Sequence, residues 1–408
     1  MFKYYSLIFL LAALNINAQT VNFYYDRGVE ELKNKQYEAA IKDFQYVVSK
    51  DNYYFEAYHD MGVAYVALKK YDEAEDAFSK AIEAKPDYYE AYLKRAELYY
   101  IQGKSKFAIQ DYAKILKMNP DYLPAYENQG NMFFEMNNYE KAKENYLKAV
   151  ELKSKSASIF YNIALIYNKE KDNKKAIDYL TQAIDLKPDY ADALFLRAKL
   201  FLMKLSYDKA LKDINSAIKI NPDNQTYYEI RAKTLFDTQQ FDKALTDYTT
   251  LINKYKIYDK EIYLNRGVCY NKINKPLEAI KDFNKAIAKD GNYFPAYYER
   301  GMAYSKQGKS KNSLALRDFN KAIELNPKSG QAYFKRGEHY FNNKDYENSI
   351  KDFTKGLKYE EDKTGYIYFL RGAAYFESGD NDNACFDLKT AKNLGYKKAA
   401  EIYDSNCF

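Results

Sequence analysis

The sequence of 408 residues contains no tryptophan, two histidines, three cysteines, eight prolines and fifteen glycines. Each shortage excludes something. So few prolines and glycines leave too little turn chemistry for a β-rich fold. His59 and His339 lie far apart in the chain and cannot share a site. No HExxH, P-loop, GxSxG or metal-type cysteine spacing occurs, so the usual carriers of hydrolytic, nucleotide and zinc chemistry are missing. An excess of one charge is missing too. The 63 basic and 57 acidic residues are interspersed, with a net charge of +6 and no basic block, which argues against nucleic acid or an anionic membrane surface as partner.

Present instead is a helix-forming chain rich in alanine, lysine, glutamate, leucine and isoleucine, 47% hydrophobic. Its 46 tyrosines need an explanation of their own. The start differs from the rest. Lys3 precedes an apolar run of ten residues, Tyr5 to Leu14, too short to span a bilayer, and small Ala18 follows. That pattern predicts a secretory signal peptide over 1–18, cut before Gln19, with a short membrane anchor as the alternative. No cysteine near the cut would take a lipid, and no later stretch is apolar enough to cross a membrane. The expected setting is therefore periplasmic or secreted.

One pattern recurs along the chain. An aromatic residue is followed four positions later by Gly or Ala, as in Tyr58 and Gly62. The small residues are Gly28, Gly62, Ala96, Gly130, Ala164, Ala198, Ala232, Gly267, Gly301, Gly337 and Gly372, spaced 34 apart six times and then 35, 34, 36 and 35. Such a period marks stacked repeats. About twelve residues after each comes a second small residue, Ala40 in the first repeat and Ser349 in the tenth, then a bulky one such as Phe44 or Phe353. Spacings of three and four put these on one helical face. Pro86, Pro120, Pro188, Pro222 and Pro327 end second helices.

The units Tyr58, Met61, Gly62, Tyr65, Ala74, Phe78, Ala81, Pro86 and Tyr297, Gly301, Tyr304, Ala315, Phe319, Ala322, Pro327 resemble tetratricopeptide repeats, the latter with a two-residue insertion between its helices. The resemblance implies an all-α, right-handed superhelical solenoid of about eleven helix-turn-helix units over 19–394, with a capping helix over 395–408. The units run 21–54, 55–88, 89–122, 123–156, 157–190, 191–224, 225–259, 260–293, 294–329, 330–364 and 365–394. Small residues are expected where paired helices approach closely. Nine of the eleven leading aromatic positions hold tyrosine, which reads as packing with the hydroxyl at the edge, in preference to a sugar-binding surface.

A charge pair follows the repeat. Arg27, Arg95, Arg197, Arg231, Arg266, Arg300, Arg336 and Arg371 precede small residues, and Asp43, Asp111, Asp213, Asp247, Asp282, Asp318, Asp352 and Asp387 lie on the second helices of the same units. Met61, Gln129 and Ile163 replace the arginine only where the aspartate is also gone. A salt bridge within each hairpin explains that joint gain and loss, because either charge buried alone is costly. An arginine ladder for anionic ligands is the alternative. At the far end, Cys385 and Cys407 flank the turn at Gly395 and suit a disulfide, with two free thiols the alternative. Cys269 reads as a small buried apolar residue.

The repeats leave no room for a catalytic domain, and no cofactor is expected. The resemblance implies a protein or peptide held in the groove of the first helices. The family's carboxylate grip is incomplete: Asn131 and Asn162 are in place, but Glu127, Asp192 and Leu196 stand where basic groups belong. Asn128, Asn162 and Asn265 match an asparagine some relatives use on a peptide backbone. Repeats four and five, which lack the Arg–Asp pair, are the expected patch, through Glu127, Asn128, Asn131, Glu135, Tyr161, Asn162 and Asn168. A carbohydrate or small-ligand carrier, or a non-catalytic subunit of an envelope enzyme complex, are the alternatives. The sequence names no partner.

Overall fold

A computed structural model describes residues 19–359 and 364–407. The expected leader, 1–18, lies outside the described residues. Among the described residues the regular structure is helical, without strands. Each repeat is a hairpin of helix A and helix B, as in Phe55–Ala67 with Tyr71–Ala84. Two compact units divide the chain, 1–197 and 198–408. The first holds the hairpins of repeats one to five. The second holds helix B of repeat six, the hairpins of repeats seven to eleven and the closing helix Lys397–Asn406. The division falls inside helix A of repeat six, Ala191–Met203.

The hairpin turn has one backbone solution throughout. The residue seven past each small residue has positive φ, from Lys35 at 61° to Gly379 at 86°. Outside repeat nine the next residue then closes helix A by a bond back to its last turn, as Lys70 N–H does to Tyr65 O at 2.9 Å. Only Gly103, Gly308 and Gly379 use glycine there; Leu205 adopts φ 54° with a side chain 70% exposed.

Packing explains the two small positions. The bulky residue of helix B lays its ring on the small residue of helix A. A Cβ added at Gly62 would stand 2.6 Å from the Phe78 ring, and one at Gly267 2.6 Å from Phe283. In these hairpins a Cβ at the glycine would meet a ring, but alanine also stands opposite a ring at Ala96 with Tyr112 and Ala232 with Tyr248, and Gly372 stands opposite Leu388. Phe44, Phe78, Phe283, Phe319 and Phe353 are fully buried. Truncating any of them to alanine costs about 3–5 kcal/mol. The second small residue is buried in every repeat. Ser349, the exception in chemistry, satisfies its hydroxyl by donating to Gly337 O at 3.0 Å.

Candidate binding surface

Seven of the eight expected charge pairs lie within one unit, and in all seven the arginine grips both aspartate oxygens. Arg300 donates from Nε and Nη2 to Asp318 at 2.6 and 2.8 Å, and Arg336 to Asp352 at 2.7 and 2.7 Å. The same fork joins Arg27 to Asp43, Arg95 to Asp111, Arg231 to Asp247, Arg266 to Asp282 and Arg371 to Asp387. Burial works against the Arg300 charge, but the hydrogen bonds it donates to Asp318 and the attraction of that carboxylate together outweigh it and raise the guanidinium pKa. Arg197 and Asp213 stand in different units.

The remaining arginine nitrogen makes a contact that sequence reasoning missed. It reaches back to helix B of the preceding repeat. Arg95 Nη1 donates to Ser79 at 2.9 Å, Arg197 to Thr181 at 3.0 Å, Arg231 to Asn215 at 2.7 Å, Arg300 to Asn284 at 2.6 Å, Arg336 to Asn320 at 2.6 Å and Arg371 to Thr354 at 3.1 Å. One side chain thus locks its own hairpin and ties it to its neighbour. The signal was available: Ala113 and Leu147 hold the acceptor position just where Gln129 and Ile163 replace the next arginine. Gln129 still reaches back, donating to Ile109 O at 3.0 Å.

The expected groove asparagines are largely engaged by the protein itself. Asn128 Nδ2 donates to the Tyr112 hydroxyl at 3.0 Å, and Asn162 Nδ2 to the Tyr146 hydroxyl at 3.0 Å. Tyr146 in turn donates to Asn131 Oδ1 at 2.9 Å. Both rings are buried, so their hydroxyls need these partners. The Tyr248 hydroxyl, beside Asn265, is buried without a formed hydrogen bond. Glu127 accepts from Ser154 at 2.5 Å and Glu135 from the Tyr100 hydroxyl at 2.8 Å. Tyr161 packs on Tyr190 with ring centres 5.0 Å apart, and Asn168 is half-buried near the end of its helix.

A cavity of about 400 Å³ opens between helix A of repeat three, Tyr89–Ile101, and helix A of repeat four, Leu123–Glu135. Glu97, Tyr100, Ile101, Tyr112, Asn128, Asn131 and Met132 line it. It brings together two expected residues, Asn128 and Asn131; Tyr161, Asn162 and Asn168 belong to the next repeat. Tyr100 is 45% exposed and Ile101 57%. Ile101 departs from most of its equivalents, Lys33, Glu135, Lys169, Asp237, Lys272, Lys306, Asn342 and Glu377, and shares its apolar character with Ala67 and the exposed Met203.

Cys385 and Cys407 are joined, with Cα atoms 5.5 Å apart, and fasten the closing helix to repeat eleven. Cys269 is fully buried, and burial pushes its thiol up to about 12, which leaves it unreactive. Among the described residues no helix is long and apolar enough to cross a membrane, and no group of three or more His, Cys, Asp or Glu is placed to hold a metal ion.

Residues 17–194 match the family model of the tetratricopeptide repeat protein 21 C-terminal ARM domain. Tetratricopeptide repeat models match 167–234, and 231–293 with 298–360. No curated protein matches the chain. Among solved structures, a tetratricopeptide repeat protein from Parabacteroides merdae shares 22% identity, with a TM-score of 0.47 over 62% of this chain and 98% of that one. Naa15/Naa10 bound to HypK-THB shares 14%, with a TM-score of 0.45 over 92% of this chain and 63% of that chain. Yeast Tom70 shares 16%, with a TM-score of 0.35 over 93% and 96%. With its matched segments and its succession of paired helices, the chain is an array of tetratricopeptide-type hairpins.

Proposed function

We propose that the protein is a non-catalytic, exported scaffold that holds a segment of a partner protein along the A helices of repeats three to five. The tetratricopeptide-type repeats support a protein-binding role in general. The leader-like first eighteen residues support export. The observation that carries the location is the exposed Tyr100–Ile101 pair beside a cavity of about 400 Å³. What supports Ile101 as a contact is its place beside the cavity and next to exposed Tyr100, an apolar side chain where most other repeats carry a polar one. An apolar side chain of a partner would fill the cavity against Tyr112 and Met132, while Glu97, Asn128 and Asn131 offer polar contacts at its edge. Catalysis has no part in this reading.

The test is paired affinity capture from the native envelope fraction, with the native chain and Ile101→Asp as baits. Ile101 is exposed, so the substitution leaves folding intact. A partner recovered by the native chain and depleted with the variant supports the proposal. Equal recovery of every partner by both baits rejects the location.

A further inference from the structure

The two-residue insertion in repeat nine builds something. Past Gly308 the other repeats enter helix B after a single residue; here Lys309–Lys311 forms a 3-10 turn before Asn312–Leu325 begins. Insertions in repeat arrays collect on loops of a working face. This one is stitched to the next hairpin: Asn312 Nδ2 donates to Asn343 Oδ1, and Asn343 Nδ2 to His339 O at 2.7 Å. The bridge closes one wall of a second cavity, about 320 Å³, between the A helices of repeats nine and ten, Phe294–Ser305 and Gly330–Asn342. Phe319 and the buried His339 form part of its lining.

The charges around it do not balance. Lys306, Lys309 and Lys335 line the cavity with one carboxylate, Glu338. That carboxylate is already engaged, by Lys335 at 2.7 Å and by the Tyr366 hydroxyl at 3.2 Å. Lys306 donates to a neutral acceptor, Asn271 O, at 2.9 Å. Glu299, which feels Lys306 and Lys272, makes no ion pair with either among the described residues. Lys309, supplied by the insertion, has no carboxylate partner among the described residues. Two exposed ammonium groups therefore line an open cavity without a salt-bridged carboxylate among the described residues, beside amide and hydroxyl groups of Asn312, Asn342 and Ser305 that can donate to oxygen.

We infer that the cavity between repeats nine and ten is a site for a small oxyanion, a phosphate- or carboxylate-bearing molecule, held by Lys306 and Lys309. It is separate from the partner surface proposed for repeats three to five and stands or falls without it.

The test is lysine acylation of the full chain, read by mass spectrometry at Lys306 and Lys309 with inorganic phosphate or citrate added. Exposed Lys281 serves as control. Expected is saturable protection of Lys306 and Lys309, about threefold at twice the dissociation constant, with Lys281 unchanged. Protection by phosphate alone or by citrate alone identifies the headgroup. In Lys306→Gln the protection of Lys309 should disappear. Labelling that never falls, that falls in parallel at Lys281, or that stays protected at Lys309 in the variant overturns the inference.

Discussion

Asn162 donates its amide to the Tyr146 hydroxyl across 3.0 Å, binding repeat five to repeat four. The relation recurs in the sequence. Asparagine appears sixteen or seventeen residues after the helix-B bulky residue only where that residue is tyrosine: Tyr112 with Asn128, Tyr146 with Asn162, Tyr248 with Asn265. Where the bulky residue is Leu180 the partner is Leu196, and where it is Ile214 the partner is Ile230. Asn128 and Asn162 are thus explained by the core hydroxyls they satisfy.

Removing Asn162 leaves the buried Tyr146 hydroxyl with only its bond to Asn131. Asn162→Leu should destabilise by about 1–3 kcal/mol, because the buried Tyr146 hydroxyl loses its donor. Tyr146→Phe combined with Asn162→Leu should recover most of the loss, since the array itself uses an apolar pair at Leu180 and Leu196. Urea melts of the three variants read this directly. Additive losses would show that the hydrogen bond is not what holds the pair.

The arginine fork makes a similar claim with larger numbers. Asp318 is 1% exposed, so Arg300→Met leaves a buried carboxylate with only the exposed Arg317, at 3.8 Å, as a cation. Either Arg300→Met or Asp318→Ala should cost about 3–5 kcal/mol, and the double variant less than their sum. A double-mutant cycle by chemical denaturation measures the coupling. Asn284→Ala, which removes only the contact to the preceding repeat, should cost about 1–3 kcal/mol.

Much of the fold was legible because repetition supplies internal comparison. Hairpin boundaries followed from the 34-residue period, and the Arg–Asp pairing from the joint replacement at Met61, Gln129 and Ile163. What escaped were contacts between repeats. Comparing each helix A with its own helix B does not reveal that Asn128 serves Tyr112, or that Arg336 reaches Asn320. The candidate site was half legible for the same reason. Asn128 and Asn131 do line the cavity, but the apolar signal at Ile101 shows only against equivalent positions across all repeats.

Glu299 occupies the asparagine position in repeat nine, facing a repeat whose bulky residue is Phe283. Burial raises its carboxyl pKa above the ordinary value, with Lys272 and Lys306 only partly opposing. The folded state therefore binds this proton more tightly than the unfolded chain does. Its contribution is most favourable below the unfolded pKa and is lost as pH rises toward the raised folded value. Glu299→Gln should therefore be more stable than the native chain at neutral pH and similar to it near about pH 4. Thermal melts across that range check the sign; a variant less stable at neutral pH would contradict it.

The disulfide closes a loop of sequence separation 22 at the end of the array. Replacing Cys385 and Cys407 by serine should weaken the closing helix by about 3 kcal/mol. Terminal elements of an array open locally, so faster hydrogen exchange should concentrate in Lys397–Asn406 and Asn381–Asn393. Exchange unchanged in both helices would mean that packing of Ala399 and Tyr396 suffices.

On the proposed reading a protein partner lies along the A helices of repeats three to five and touches Ile101. A photo-crosslinking amino acid placed at Ile101, and separately at exposed Lys114 on helix B of the same repeat, tests it in the cells that make the protein. The account predicts a discrete protein adduct from position 101 and none from position 114. Adducts from 114 alone, or from neither position, would contradict it.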